Sequence, residues 1–241
     1  MTVSMMNRER VVEAMQEPVG KFVDRVQALG GANCLAVIGF GAIATPDFDP
    51  ARHVARSVLV LERIDLAMLR ELAKDGARLG KARISAPLIM TPVYINGSLD
   101  TFPLELLEIQ QCHVCFAGTD YCTELSFQDT HIRLQCEREL KATLIGMRQG
   151  LLAAAGREKL FGTIEGDVAE RLIRTLRGLL WLHGQHAYLP AMDVVGQIEQ
   201  ETDRSLPGIR HALQGSHQQA WDDFVLLYDE IEGLKTLADR W

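Results

Sequence analysis

The chain reads as an α+β protein in two parts: an N-terminal mixed β-sheet with flanking helices over residues 1–129, then an all-α helical bundle over residues 130–241. Three observations predict this. Short apolar runs bounded by Gly and Pro alternate with helical stretches in the first part. From His131 onward apolar residues recur every three or four positions with little interruption. No repeat, low-complexity tract or Gly/Ser-rich linker separates the two textures.

The elements follow in order. Val11, Val12, Met15, Phe22, Val23, Val26 and Leu29 carry helical spacing over residues 5–29, with Pro18 expected to split or kink the helix and Gly30 and Gly31 to end it. CLAVIGF (34–40) reads as a buried strand, residues 41–56 as a loop with at most one helical turn, and SVLVL (57–61) as a second strand. Asp65 caps a helix over 66–79 with Leu66, Leu69, Leu72 and Leu79 facing inward. RISAPLIM (83–90) is a third strand carrying Pro87, which suits an edge strand or a bulge. Thr91-Pro92 starts a short helix, and FPLELLEI (102–109) and HVCFA (113–117) supply two more strands.

In the second part Ile132, Cys136, Leu140, Leu144, Met147 and Leu151 make one inward stripe, and Arg133–Glu137 and Glu137–Lys141 are opposite charges four apart. Further helices are expected near 158–187, 190–203 and 217–239, with breaks at Pro190 and Pro207. Four consecutive helices with short connections predict an antiparallel bundle.

Composition narrows the function. A chain of 241 residues, 47% hydrophobic and 24% charged, is an ordinary globular composition. A net charge of -7 argues against wholesale nucleic-acid binding, which needs a clustered excess of Lys and Arg. The charged N-terminus and the lack of an apolar run of about 20 residues predict neither an export signal nor a membrane span, hence a cytoplasmic protein. Five cysteines then read as reduced thiols.

The strand ending in Gly-Phe-Gly, the polar loop, SVLVL, and FPLELLEIQ followed by FAG and HIRLQCERELKATLIGMRQGLL together resemble the nucleotidyltransferase superfamily. More narrowly, they resemble an uncharacterised bacterial nucleotidyltransferase-like family with a C-terminal helical domain. The resemblance implies a glycine turn that cradles a triphosphate, an acidic pair on the following strand that holds Mg²⁺, and a third carboxylate nearby. Gly39 and Gly41 match the first need, with Ala42 where a phosphate-binding Ser often stands. The positions of the acidic pair hold Ala55 and Ser57. Asp47 and Asp49 have the one-apart spacing but lie in the loop, and Glu105 is the candidate third carboxylate, alternating with Pro103, Leu107 and Ile109 on a strand face.

The implied catalytic set is therefore Glu105, Asp47 and Asp49, and the nucleotide-binding set Gly39, Gly41, Ala42, Ser57 and Arg138. Without paired carboxylates the reading is a catalytically degenerate protein that binds a nucleotide or a protein partner in the cleft between its domains. The alternatives are an active enzyme using Mg²⁺ and a nucleoside triphosphate to transfer a nucleotidyl group, and a non-enzymatic module dimerising through its bundle. Three further groupings carry weaker signals. Cys112, Cys115 and Cys122 with His113 and His131 contain one C-x-x-C spacing of zinc sites, read here as packing cysteines. His183 and His186 stand three apart on an expected helix and could share a metal-binding face. Arg177 and His183 resemble the Arg and His motif of helical ribonuclease domains, with Gly178 where a polar residue usually follows the Arg.

Overall fold

The structure, a computed structural model, describes residues 6–215 and 220–238. It is mixed α/β with a helical C-terminal part, and it divides into two compact units: Met1–Leu99 with Leu106–Ser126, and Asp100–Glu105 with Phe127–Trp241.

The first unit is built on a four-stranded sheet in the order β3-β2-β1-β4. Strand β1 (Cys34–Phe40) pairs antiparallel with β2 (Arg56–Leu61) and with β4 (His113–Gly118), while β3 (Leu88–Met90) lies parallel to β2. β1 is central and is buried from Ala36 onward, as its unbroken apolar run predicts. Helix α1 (Glu13–Gly30) packs Met15, Val19, Phe22, Val23 and Val26 into a core shared with Val37, Leu59, Leu61, Val114 and Phe116. The helix runs unbroken through Pro18, contrary to the expected split: the proline sits in its second turn and costs one i→i−4 bond.

Two more expectations change here. The single helix over 66–79 is divided by Lys74 and Asp75 into α2 (Leu66–Ala73) and α3 (Gly76–Lys81). Asp65 does cap α2, accepting from Ala67 N–H and Met68 N–H, but Leu66 is 75% exposed and Met68 takes the inward place beside Leu72. Arg25 and Arg78 both bind Asp75 at the joint between the two helices, Arg25 at 2.8 Å. The expected strand over 83–90 shrinks to β3 with one preceding bridge, Ala55 to Ile84, and Pro87 stands just outside this edge strand.

FPLELLEI is a helix and not a strand: α5 spans Pro103–Gln111, after the short α4 (Pro92–Gly97) capped by Thr91. Pro103 occupies the first helical position, where its missing N–H is not needed, and Leu, Glu and Gln are stronger helix than strand formers. Leu104, Leu106, Leu107 and Ile109 are all buried, so both apolar sides of α5 are covered and the alternating pattern disguises a helix.

The second unit contains α6 (Asp129–Ala154), α7 (Phe161–Leu182), α8 (Ala191–Thr202), α9 (Pro207–Gln214) and α10 (Ala220–Ala238). The expected inward residues Ile132, Cys136, Leu140, Leu144 and Met147 are buried on α6. Helix α7 touches the other four. Gly178 lets it approach α6 closely, since a β-carbon there would strike Leu104 and Cys136. α9 was not anticipated: Pro207 starts a helix as its first residue, so a residue read as a break is a beginning. The ends of the expected last helix, 217–219 and 239, lie outside the described residues. No helix among the described residues is long and apolar enough to cross a membrane.

Glu230 of α10 closes the N-terminus of α9, accepting from Gly208 N–H at 2.7 Å and Ile209 N–H at 2.8 Å. Burial raises its carboxyl above the ordinary value, and these two bonds only partly offset that. The folded state therefore holds the Glu230 proton to higher pH than the unfolded chain does, and stability from this group is lost as pH rises through the raised value. Chemical denaturation of the wild type against Glu230→Gln between about pH 4 and pH 8 should show the stability difference shifting against the wild type as pH rises.

Candidate functional site

The glycine turn after β1 is the natural starting point. Gly39 faces Ser57 across the β1–β2 ladder, and a β-carbon on Gly39 would overlap the ring of Phe116. Its glycine identity thus follows from packing. Gly41 sits at φ +69, a left-handed conformation suited to glycine, and opens a 3-10 turn over Gly41–Ala44. The Gly41 N–H donates to the Cys112 carbonyl at 2.8 Å, so this donor is already engaged. Ala42 packs against the apolar core.

Ser57 is buried on the same side of β2 as Ala55, Leu59 and Leu61, and its hydroxyl has no hydrogen-bond partner among the described residues. A carboxylate at 55 or 57 would enter an apolar core. The exposed face at the start of β2 belongs to Arg56. Its guanidinium lies over the Phe40 ring at 4.6 Å, holds Glu108 Oε1 at 2.6 Å, and stands so close to Gly41 that a β-carbon there would lie 2.7 Å from Nη2. Phe40 and Arg56 are register partners at the end of the ladder, which is why the ring and the cation meet.

The acidic candidates are each engaged locally. Asp49 forms a turn in which its Oδ1 accepts from Ala51 N–H, its own N–H donates to His53 Nδ1, and Arg52 lies 3.6 Å away. Asp47 is exposed in the same loop. Glu105, expected on a strand, lies in the first turn of α5 and binds Arg174 of α7 at 2.6 Å and Gln135 Nε2 of α6 at 2.8 Å. Gln135 is buried and completes the arrangement by accepting from Leu104 N–H, so one amide ties two groups of the α5 start. Arg138 is exposed on α6. Among the described residues no group of three or more His, Cys, Asp or Glu could hold a metal ion.

The remaining groupings resolve into packing. α7 ends at Leu182, so His183 is its capping residue and His186 lies beyond; they do not share a helix face, and His186 stacks on Trp181. Gly184, in a left-handed turn, breaks the helix that the spacing of those histidines required. Arg177 donates to the Leu189 carbonyl and covers the Tyr188 ring. Cys112, Cys115 and Cys122 are buried cysteines outside any disulfide, Cys112 Sγ donates to the Gly41 carbonyl, and burial pushes the Cys122 thiol up to about 12.

One cluster has no counterpart among the predicted sites. His113 Nε2 meets Asp120 Oδ2 at 2.9 Å, Thr123 Oγ1 donates to the same carboxylate at 3.0 Å, and His113 Nδ1 faces the Gln110 carbonyl. Burial pushes the Asp120 carboxyl up, but bonds from Cys122 N–H, His113 and Thr123 outweigh it and hold the group below its usual range. Thr123 and Asp120 meet the same ring nitrogen, so the imidazole cannot pass a proton from hydroxyl to carboxylate. Gln110 Nε2 donates to the carbonyls of Thr123 and Leu125 as well, which makes the cluster a clasp for the loop after β4.

Two outcomes follow for the residues assigned to phosphate and metal. Gly39→Ala should destabilise the fold by about 1–3 kcal/mol through overpacking, and Phe116→Leu in the same chain should recover part of that loss in a double-mutant cycle. Glu105→Ala should lower the unfolding free energy by about 1–3 kcal/mol because Arg174 and Gln135 lose their acceptor. A Glu105→Ala protein of unchanged stability that has lost Mg²⁺ affinity by calorimetry would instead make the carboxylate a ligand. Comparison with protein-family models and with curated proteins returns no match for this chain.

Proposed function

We propose that this chain is a nucleotidyltransferase-like protein in which binding has replaced phosphoryl transfer, and that the phosphates of a nucleotide are received by Arg56 without a metal ion. The observation that carries this reading is the charge at the glycine turn. Transfer of a nucleotidyl group needs carboxylates there to hold Mg²⁺; here a guanidinium, 44% exposed at its side chain, stands beside Gly41 instead.

An arginine so placed offers a planar pair of donors matched to phosphate oxygens, and its fixed charge does part of the work of the missing cation. Glu108 is its present counter-ion, so a phosphate must compete with that carboxylate. The degenerate reading is supported further by Asp49 and Glu105, whose oxygens already serve a turn and an ion pair.

Calorimetry with ATP, GTP, CTP and UTP, each with and without Mg²⁺, tests the proposal. Saturable binding indifferent to Mg²⁺ is expected, weakened about tenfold or more by Arg56→Gln and strengthened by Glu108→Gln. Pyrophosphate release, binding that requires Mg²⁺, or an affinity untouched by Arg56→Gln would overturn it.

A further inference from the structure

The outer surfaces of α6 and α10 carry apolar side chains that the helical unit leaves in water. On α6, Ile145 is 53% and Leu152 80% exposed; on α10, Trp221 is 48% exposed, with the exposed Val225 one turn along. The two helices pack side by side in opposite directions. Arg148 Nε donates to the Tyr228 hydroxyl at 2.7 Å, and its Nη2 lies 3.7 Å from Glu232. Leu151, one turn later on α6, lines a cavity with Trp221, Phe224 and Val225, earlier on α10. Exposure at Arg138, Lys141, Ile145, Arg148 and Leu152 recurs at helical spacing, so these residues share one face of α6. By the same spacing Trp221, Asp222, Val225, Asp229 and Glu232 share one face of α10.

Charge and shape together indicate what covers this surface. The α6 face carries the cations Arg138, Lys141 and Arg148, and the α10 face carries the carboxylates Asp222, Asp229 and Glu232. A surface basic along one helix and acidic along the next complements itself when a second copy is related by a two-fold axis parallel to the helices. Each α6 then lies on the other copy's α10, whereas a two-fold axis across the helices sets like charges opposite each other. The shape agrees. Between α6 and α10 lies a cavity of ≈ 180 Å³ lined by Arg148, Leu151, Trp221, Phe224, Val225 and Tyr228. A two-fold axis along the helices keeps every residue at its own height, and Leu152 stands at the height of this cavity because its neighbour Leu151 lines it. The protruding leucine of one copy thus faces the aromatic-walled hole of the other.

We propose that this face joins two copies of the chain into a two-fold dimer, with two α6 and two α10 helices packed together. Leu152 of each copy enters the cavity of the second and covers Trp221 and Val225, the aromatic and aliphatic anchors of the contact. Arg148 lies level with Tyr228 in its own chain, and hence level with Asp229 of the second copy, where the two can pair at the rim.

Sedimentation velocity and light scattering on the full chain between about 1 and 100 μM test the dimer. A mass rising to twice that of one chain is expected. Leu152→Asp and Asp229→Lys, both changes at exposed side chains, should each weaken self-association about tenfold or more while circular dichroism stays unchanged. A chain still monomeric at about 100 μM, which would leave the face to a different protein, overturns the assignment. So does a dimer that a folded Leu152→Asp protein retains unchanged, or one that Asp229→Lys strengthens, the sign of like helices stacked on each other.

Discussion

The ring of Phe116 lies where any residue other than glycine at position 39 would put its β-carbon, and the N-terminal sheet depends on that close approach. A glycine inside a strand costs roughly 0.5–1 kcal/mol relative to alanine in conformational entropy. Burying a phenylalanine side chain returns about 1.5–3 kcal/mol, so packing wins and the central strand keeps a residue that strand propensity disfavours. The two glycines of Gly-Phe-Gly thus have separate causes. Gly39 makes room for an aromatic ring from β4, and Gly41 accepts the left-handed backbone that turns the chain out of β1. A phosphate-binding turn and an aromatic-packing strand write the same letters.

The charges follow a second constraint. A divalent cation needs several oxygens whose negative charge is not already countered. In this molecule carboxylates are spent on structure one at a time. Asp65 caps α2, Asp75 holds Arg25 and Arg78, Glu108 holds Arg56, Glu105 holds Arg174 and Gln135, Glu199 holds Arg210, and Glu230 caps α9. The Arg25 bond holds the Asp75 carboxyl below its usual range, and the Arg210 bond does the same for Glu199. Such pairing stabilises the anion but cancels the field a metal would need, so an acidic count of 32 produces no shared metal site among the described residues.

What could be read from the sequence was the periodicity of long or fully buried segments. CLAVIGF, SVLVL and HVCFA are strands because their apolar runs have no helical alternative at that length, and the α6 stripe is buried as its spacing requires. FPLELLEI was misleading because a short helix covered on two sides shows apolar residues at both strand and helix intervals; Pro103 and the Leu, Glu and Gln content were the available correction. Glu105 inherited that error. Its partners, Gln135 and Arg174, stand 30 and 69 residues away, and no local pattern announces them. The histidine pair failed for a local reason that was legible, since Gly184 between His183 and His186 is a helix terminator.

Helix α7 shows how arginines at one regular spacing reach different surroundings. Arg171, Arg174 and Arg177 are three residues apart, so each is turned by about 60° from the last and the three fan across the helix surface. Arg174 meets Glu105, and Arg177 meets the Leu189 carbonyl and the Tyr188 ring. Arg171 faces the stretch of α6 where Ala142, Gly146 and Gly150 replace the longer side chains found elsewhere on that helix. Residues that small leave a trough beside the guanidinium, and its lining also carries the Glu139 and Asp167 carboxylates. The small side chains of α6 thus open the trough, while Arg171 anchors its Nε to the Asp167 carbonyl of its own helix, so the gap and the position of the cation are set by different helices.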